Sequence, residues 1–269
     1  YKDKEERWYK LYQPKSLNPG FRFMHVGGRE KGLVFGLDYI KKFVHQKRKE
    51  EEAEIKKEYG EDPEQKTSEF KLARICIGSG GRDGLNLASL GEFPVWFNSE
   101  TETLDPQVYS DLKNYCEDLV NIPDVDTTGK RQGVKLAVMF HEMKTAWLND
   151  ELGDSFDFRG KRHKDFTDFV RINSLKPNKL QAKVNRFLDL AKPIKFWDSY
   201  KAKNDVLMYS FNNVNAYYFL NCSGFYRIDE PDKKEEYAYI RVVNHMVEET
   251  STTKIKNYIN LFLEDKQRI

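Results

Sequence analysis

The sequence lacks the features of a membrane-spanning or disulfide-rich protein. No apolar run approaches 18 residues, which excludes a candidate membrane-spanning helix. Only three cysteines occur, Cys76, Cys116 and Cys222, and they have no paired spacing. An odd number without pairs supports neither a disulfide framework nor a cysteine-based zinc site. A reducing compartment, the cytoplasm, is therefore expected.

An excess of charge of one sign is also missing. Charged residues make up 33% of the chain against 39% hydrophobic residues, but the signs nearly balance and leave a net charge of +2. Binding to nucleic acid would therefore depend on local patches rather than on bulk charge. The histidines have no metal-ligand spacing and are interpreted as structural or surface residues: they include His25, His45, His141 and His245.

The arrangement of apolar residues predicts an α+β protein. Alternating aromatic and polar residues favour strands at 8–14 and 21–25, a further short strand follows at 33–37, and a charged helix is predicted from Asp38 to about Tyr59. From 72 to about 172 short apolar runs alternate with helical periods, which predicts a central parallel sheet. The expected divisions are a strand-rich part with the charged helix at 1–70, an α/β domain at 71–175, a linker helix at 176–204 and a small α+β region at 205–269.

Two carboxylates follow the strand that is expected to be central. Asp124 and Asp126 are two residues apart, so both can face the same point at the carboxyl end of that strand, where open α/β sheets place their ligands. Hard oxygen ligands select Mg²⁺ or Mn²⁺ over zinc. A divalent-metal site is the leading interpretation. The alternative is that the pair only caps the helix that begins near Gly129.

Basic residues lie beside these carboxylates in the sequence. Free backbone N–H groups at the start of a helix favour anions, so basic side chains there can bind nucleotide phosphates or a template backbone, with a salt-dependent affinity. Each side chain can equally be a plain surface charge. The candidates are Lys130 and Arg131 after the acidic pair, and Lys161, Arg162 and Lys164 in a later loop.

After residue 172 the alternation of strands and helices stops. A helix is predicted over 180–190, and an amphipathic helix over 253–263 with Thr252 as its cap. Strands are predicted over 207–209, 215–220, 224–228 and 237–243.

Three motifs resemble the Toprim domain of bacterial-type primases and of phage or plasmid primase-helicases. In order they are a glycine turn, Gly78-Ser-Gly-Gly81, followed by Asp83, then Asp124-x-Asp126, then Lys164-Asp165-Phe-Thr-Asp168. The segments Tyr9 to Pro14 and Phe21 to Phe23 resemble the strands that precede Toprim in primases, so the resemblance covers about 5–172.

The resemblance implies an activity and a set of ligands. Asp124 and Asp126 would hold Mg²⁺ or Mn²⁺, with Asp165 near the same ion. The ion would neutralise the triphosphate of an incoming nucleotide during primer synthesis on single-stranded DNA. The expected partners are therefore a single-stranded DNA template and nucleoside triphosphates.

The first motif departs from the family pattern. A glutamate normally precedes the aspartate of this motif by four residues, where it serves as an acid, a base or a metal-associated group, but here the position is Ser79. A serine cannot replace a carboxylate in either role. One hypothesis is that Glu100, just past the neighbouring strand, replaces the missing glutamate and acts with Asp83 in catalysis. The other is that the domain has lost part of its chemistry and acts as a scaffold.

The last part of the chain carries a weaker resemblance. Segments at 221–228 and 252–265 resemble the small domain that precedes the ATPase core of phage and plasmid replicative helicases. No Gly-x-x-x-x-Gly-Lys-Ser/Thr motif occurs, so an ATPase motor would lie outside these residues, and the chain is expected to be a fragment of a longer protein with a helicase domain or partner. The expected function is a primase of a mobile element, with a Toprim nuclease or a DNA-binding scaffold as alternatives.

Overall fold

The centre of the molecule is a mixed six-stranded sheet. A computed structural model describes residues 8–13, 15–21, 23–27, 32–59, 68–99, 102, 104–174, 177–229 and 237–267. The strands are β1 (Trp8–Tyr12), β2 (Phe23–Gly27), β3 (Val34–Phe35), β4 (Leu72–Gly78), β5 (Phe93–Phe97), β6 (Cys116–Ile122), β7 (Lys144–Thr145), β8 (Lys192–Pro193), β9 (Trp197–Lys201), β10 (Leu207–Phe211), β11 (Phe225–Asp229), β12 (Tyr237–Val243) and β13 (Met246–Thr250).

Helices cover both faces of this sheet. Within the described residues none of them is both long enough and apolar enough to cross a membrane. They are α1 (Leu37–Tyr59), α2 (Gly81–Ser89), α3 (Pro106–Tyr115), α4 (Thr127–Met139), α5 (Asn149–Leu152), α6 (Phe166–Asn173), α7 (Pro177–Asp189), α8 (Asn213–Cys222) and α9 (Thr252–Gln267), with a 3₁₀ turn at Pro19–Phe21.

The strand order of the sheet is β3-β5-β4-β6-β7-β8, with β5, β4, β6 and β7 parallel and the two outer strands antiparallel. The chain leaves β4 through α2 toward β5 on one side, and it leaves β6 through α4 toward β7 on the other. The loops after β4 and β6 therefore diverge and open a crevice between them, which is where ligands bind in open α/β sheets. The expected fold class, α+β with a central and mostly parallel sheet, is confirmed.

Alternate residues of β6 serve two separate cores. Val120 and Ile122 pack on one face with residues of α2, α5, α6 and α7, while Leu119 packs on the other face with residues of α1 and α3. This is the alternation that a strand buried on both sides requires. Asn121 shares the face of Leu119, so polar groups at the end of β6 can point to either side of the sheet.

The C-terminal region packs against α4. A third core joins Val138 of α4 to Phe196, Trp197, Phe219 and Leu263. The β9–β10 hairpin and the three-stranded sheet β11-β12-β13 belong to this region. Packing on α4 places the end of α8 and the start of β11 beside the crevice of the central sheet.

Three expectations about local structure are wrong. The run 215–220 is part of α8 rather than a strand, because Asn212 caps a helix there by accepting a hydrogen bond from Asn215 N–H at 3.0 Å. The run from Pro106 to Leu119, which by its pattern is expected to be one helix, is helical only to Tyr115, and β6 begins at Cys116. The cap of α9 is Ser251, whose hydroxyl accepts from Lys254 N–H at 3.3 Å, and Thr252 is the first helical residue.

Candidate active site

Three segments that are far apart in the sequence meet at the carboxyl edge of the central sheet. Asp83 lies in the first turn of α2, Asp124 and Asp126 lie in the loop between β6 and α4, and Lys164 and Asp165 precede α6. A backbone hydrogen bond from Val125 N–H to Lys164 C=O at 2.8 Å joins the second segment to the third. The three motifs singled out in the sequence therefore form one cluster.

The ammonium of Lys164 bridges the two carboxylates of the central loop. Its Nζ donates to Asp124 Oδ2 at 2.8 Å and to Asp126 Oδ2 at 2.6 Å. Burial alone would lower the pKa of Lys164, but the hydrogen bonds and charges of the two carboxylates outweigh burial and raise its pKa well above the usual value. Lys164 is therefore a fixed positive charge between the two predicted metal ligands.

Asp126 also caps α4. Its carboxylate accepts a hydrogen bond from Gly129 N–H at 2.9 Å, as the helix-capping alternative anticipated. Burial opposes ionisation of Asp126, but the hydrogen bonds from Gly129 N–H and from Lys164 keep its pKa below the usual value. The side chain is thus held as a carboxylate and its direction is fixed.

Asp83 is bound to the turn that starts α6. Its Oδ1 accepts from Thr167 N–H at 2.9 Å and from the Thr167 hydroxyl at 2.6 Å. Burial raises the pKa of Asp83 to about 7, and the nearby carboxylates of Asp165 and Asp124 add to the rise while the Thr167 hydroxyl opposes it. Asp83 therefore changes its protonation state near neutral pH.

Asp165 is the N-cap of α6 and lies close to the same acids. Its carboxylate accepts from Asp168 N–H at 2.8 Å, and Arg82 approaches it at 3.6 Å. Burial raises the pKa of Asp165, and the carboxylates of Asp168 and Asp124 act in the same direction. Negative charge is thus concentrated here beyond what the neighbouring cations neutralise.

The carboxylate oxygens of the cluster are the type of ligand that a hard divalent cation prefers, but they are not arranged around a common point where one could bind. Asp124 Oδ1 is buried and has no hydrogen-bond partner in the described part of the chain, although a buried carboxylate oxygen normally has one. Over the same residues no group of three or more His, Cys, Asp or Glu side chains is arranged to hold a metal ion. In this arrangement Lys164 provides the positive charge.

The predicted phosphate-binding residues differ in how free they are. The side chain of Arg162 is paired with Asp154 at 2.6 Å. Lys130, Arg131 and Lys161 are exposed, and within the described residues they form no ion pair. These three can bind an anion without first breaking an internal contact.

Ser79 lies at the crevice, in the position where the resemblance to Toprim domains predicts a glutamate. Its hydroxyl donates to Ile122 C=O at 3.1 Å, so it links the ends of β4 and β6. Glu100, the proposed replacement, lies outside the described residues. Sequence reasoning missed the bridging role of Lys164 and the part played by Thr167, although both lie within the Lys-Asp-x-x-Asp motif.

No protein-family model and no curated protein matches the sequence. Among solved structures, the catalytic domain of DnaG primase bound to single-stranded DNA is 13% identical, with a TM-score of 0.40 over 71% of this chain and 50% of that one. A DNA primase domain from Pseudomonas aeruginosa is 14% identical, with a TM-score of 0.40 over 69% and 47%.

The zinc-binding and RNA polymerase domains of Aquifex aeolicus primase are also similar to this chain, at 12% identity and a TM-score of 0.39 over 70% and 38%. The chain thus spans about half or less of the length of these structures. Likeness at this level does not define an activity. What the fold and the site define is a doubly wound α/β domain with an acidic centre at its topological switch point.

Proposed function

We propose that the chain is a Toprim-type domain that joins nucleotides into primers on single-stranded DNA, as part of a primase or primase-helicase of a mobile element. The observation that carries the proposal is the convergence of the three motifs. Asp83, the pair Asp124 and Asp126, and the Lys164–Asp165 segment come from three parts of the chain and meet at one crevice. Chance resemblance of three short motifs would not require them to meet.

The residues that would hold Mg²⁺ or Mn²⁺ are Asp124, Asp126 and Asp165. The buried Oδ1 of Asp124, which has no hydrogen-bond partner among the described residues, supports this assignment. Such an ion supplies positive charge that stabilises the triphosphate during phosphodiester formation. Because Lys164 already neutralises two of these carboxylates, its ammonium must move away before an ion can take its place. Lys164 could then contact phosphate oxygens.

The exposed basic residues Lys130, Arg131 and Lys161 suit the phosphate groups of the substrates. Lys130 and Arg131 lie in the first turns of α4, whose N-terminal N–H groups already favour anions. Lys161 lies in the loop that leads to Lys164. We assign the triphosphate and the template backbone to this side of the crevice, with nucleoside triphosphates and single-stranded DNA as the ligands.

A second candidate is a scaffold that binds DNA without catalysis and couples to a replicative helicase. Two observations favour it: Ser79 stands in place of a carboxylate, and Lys164 occupies the position between Asp124 and Asp126 where an ion would act. In this case the acidic cluster stabilises the fold rather than binding a metal.

One incubation separates the candidates. The chain is mixed with single-stranded DNA, radiolabelled nucleoside triphosphates and Mg²⁺ or Mn²⁺, and products are resolved on a denaturing gel. Labelled oligonucleotides that disappear in Asp126→Asn are the result expected for a primase. Shortened DNA would indicate the nuclease alternative. Binding to DNA with neither product would support the scaffold and contradict the primase proposal.

A further inference from the structure

A cavity of about 360 Å³ lies on the other side of the β6 carboxyl end from the acidic cluster. The ends of β4 and β6 form its floor, α4 forms one wall, and α8 with β11 forms the opposite wall. None of the carboxylates Asp83, Asp124, Asp126 and Asp165 lines it. Its volume is within the range of small-molecule sites, about 300–1,000 Å³.

Three amide side chains from three different elements line this cavity. They are Asn121 of β6, Gln132 of α4 and Asn221 of α8. None of the three makes a side-chain hydrogen bond to the described residues, and Asn121 is only 6% exposed. A buried amide carries two donors and an acceptor that are normally satisfied. The amide of Asn121 therefore faces the cavity without a hydrogen-bond partner among the described residues.

Most of the remaining lining is apolar or aromatic, and its net charge is small. Ile77 and Phe97 come from the central sheet, and Tyr226 contributes an aromatic ring from β11. One basic side chain, Lys135, and one acidic side chain, Glu102, also reach the cavity. A site for a phosphate or another isolated anion would need a cluster of basic groups, which the described lining does not contain.

We propose that this cavity binds a nucleobase or nucleoside. A heteroaromatic base presents donors and acceptors along its edges and an apolar face, which match amide side chains and aromatic or aliphatic walls respectively. A hydrocarbon, by contrast, would leave the amides unpaired. The cavity borders the carboxylate cluster, because Ser79 and Gly129 line it, but none of the four carboxylates does. Nucleoside binding there needs neither a metal ion nor catalysis, so the inference can be tested whether or not the chain makes primers.

Calorimetric titration of the whole chain in EDTA tests the inference without metal, DNA or catalysis. The probes are adenosine, guanosine, cytidine and uridine, with ribose and inorganic phosphate as comparison compounds. At least one nucleoside is expected to bind with a Kd below about 1 mM, and the comparison compounds are expected not to bind. Failure of all four nucleosides, or equal binding of ribose or phosphate, would overturn the proposal.

Two variants locate the binding. Asn121→Leu and Gln132→Leu keep side-chain size but remove the donors and the acceptor, and each is expected to weaken nucleoside binding by roughly tenfold. The matched control is Gln181→Leu on α7, whose amide lies on the exposed surface and donates to Asn185. Gln132 is only partly buried, so Gln132→Leu decides the matter if Asn121→Leu fails to fold. Unchanged affinity in Gln132→Leu would place the ligand elsewhere and refute the proposal.

Discussion

Two polar regions meet at the carboxyl end of β6, on opposite faces of the sheet, and they satisfy their polar groups differently. In the acidic cluster the carboxylates are joined to Lys164, to Thr167 and to helix N-termini. In the cavity the amides of Asn121, Gln132 and Asn221 have no partner among the described residues. A ligand of the acidic cluster must therefore replace an internal hydrogen bond or ion pair, whereas a ligand of the cavity can bind to the amides directly.

The pH dependence of stability tests the tightly connected region with the largest expected effect. The pKa of Asp83 is raised to about 7 in the folded chain, against about 3.9 in an unfolded chain. Between these values the folded state holds a proton that the unfolded state has lost. Stability therefore decreases as pH rises from about 4 to 7, by about 2–4 kcal/mol from this group.

Urea denaturation in EDTA at several pH values measures this slope. Asp83→Asn keeps an oxygen that can accept from Thr167 and removes the titration, so its slope across this range is expected to be shallower. A variant with the same slope as the wild type would show that Asp83 is not the group responsible.

Removing the internal cation should have a slightly smaller effect. Lys164→Met leaves Asp124 buried without its positive partner, which is expected to cost about 3 kcal/mol of unfolding free energy in EDTA. Urea denaturation gives the value. The matched control is the double variant with Asp124→Asn, which no longer carries the unpaired charge and is expected to recover part of the loss. Full stability of Lys164→Met would mean that the bridge is unimportant.

Gly133 of α4 packs closely against the loop between the two regions. A Cβ at this position would lie 2.8 Å from Cβ and Cγ of Pro123, in the loop that separates the cavity from Asp124. Gly133→Ala should gain about 1 kcal/mol of helix propensity but lose about 1–3 kcal/mol to the clash, a net loss of about 1 kcal/mol. Thermal unfolding measures it.

Gly80→Ala is the control, because nothing lies within 4 Å of its Cβ position and its backbone is extended. A more stable Gly133→Ala would show that α4 can move away from Pro123.

The smallest effect is expected from the exposed basic residues. Lys130→Ala and Arg131→Ala should each weaken binding of single-stranded DNA by a few-fold and reduce the salt dependence of the affinity by about 0.7 per contact. Fluorescence anisotropy at several salt concentrations measures both quantities. Arg162→Ala provides the comparison, because Arg162 is already paired with Asp154 and should contribute less. If the three substitutions weaken DNA binding equally, the distinction between basic side chains with and without an ion-pair partner is contradicted.

The sequence predicts the acidic cluster better than the cavity for a physical reason. Asp124 and Asp126 follow a recognisable buried strand, and the ends of parallel strands share one edge, so their position follows from local pattern and topology. The direction of the Lys164 side chain depends on how α6 packs against β6, and no local pattern contains that information. The resemblance to Toprim domains identified the segment that contains Lys164, but it did not predict that Lys164 bridges Asp124 and Asp126.

The cavity depends on contacts that are more distant still. Asn221 lines the same cavity as Asn121 only because 215–220 forms a helix that packs on α4, whereas the run of aromatic residues there suggested a strand. Its helical state is favoured by the Asn212 cap and by burial of Phe219 in the third core. Without that helix the C-terminal wall of the cavity could not be anticipated.

Manganese titration followed by electron paramagnetic resonance tests the central proposal, that Lys164 and a divalent ion compete for the same carboxylates. The wild type should bind Mn²⁺ weakly, Lys164→Met should bind it at least tenfold more tightly, and Asp124→Asn should lose the site. Equal Mn²⁺ affinity in the wild type, Lys164→Met and Asp124→Asn would contradict the account.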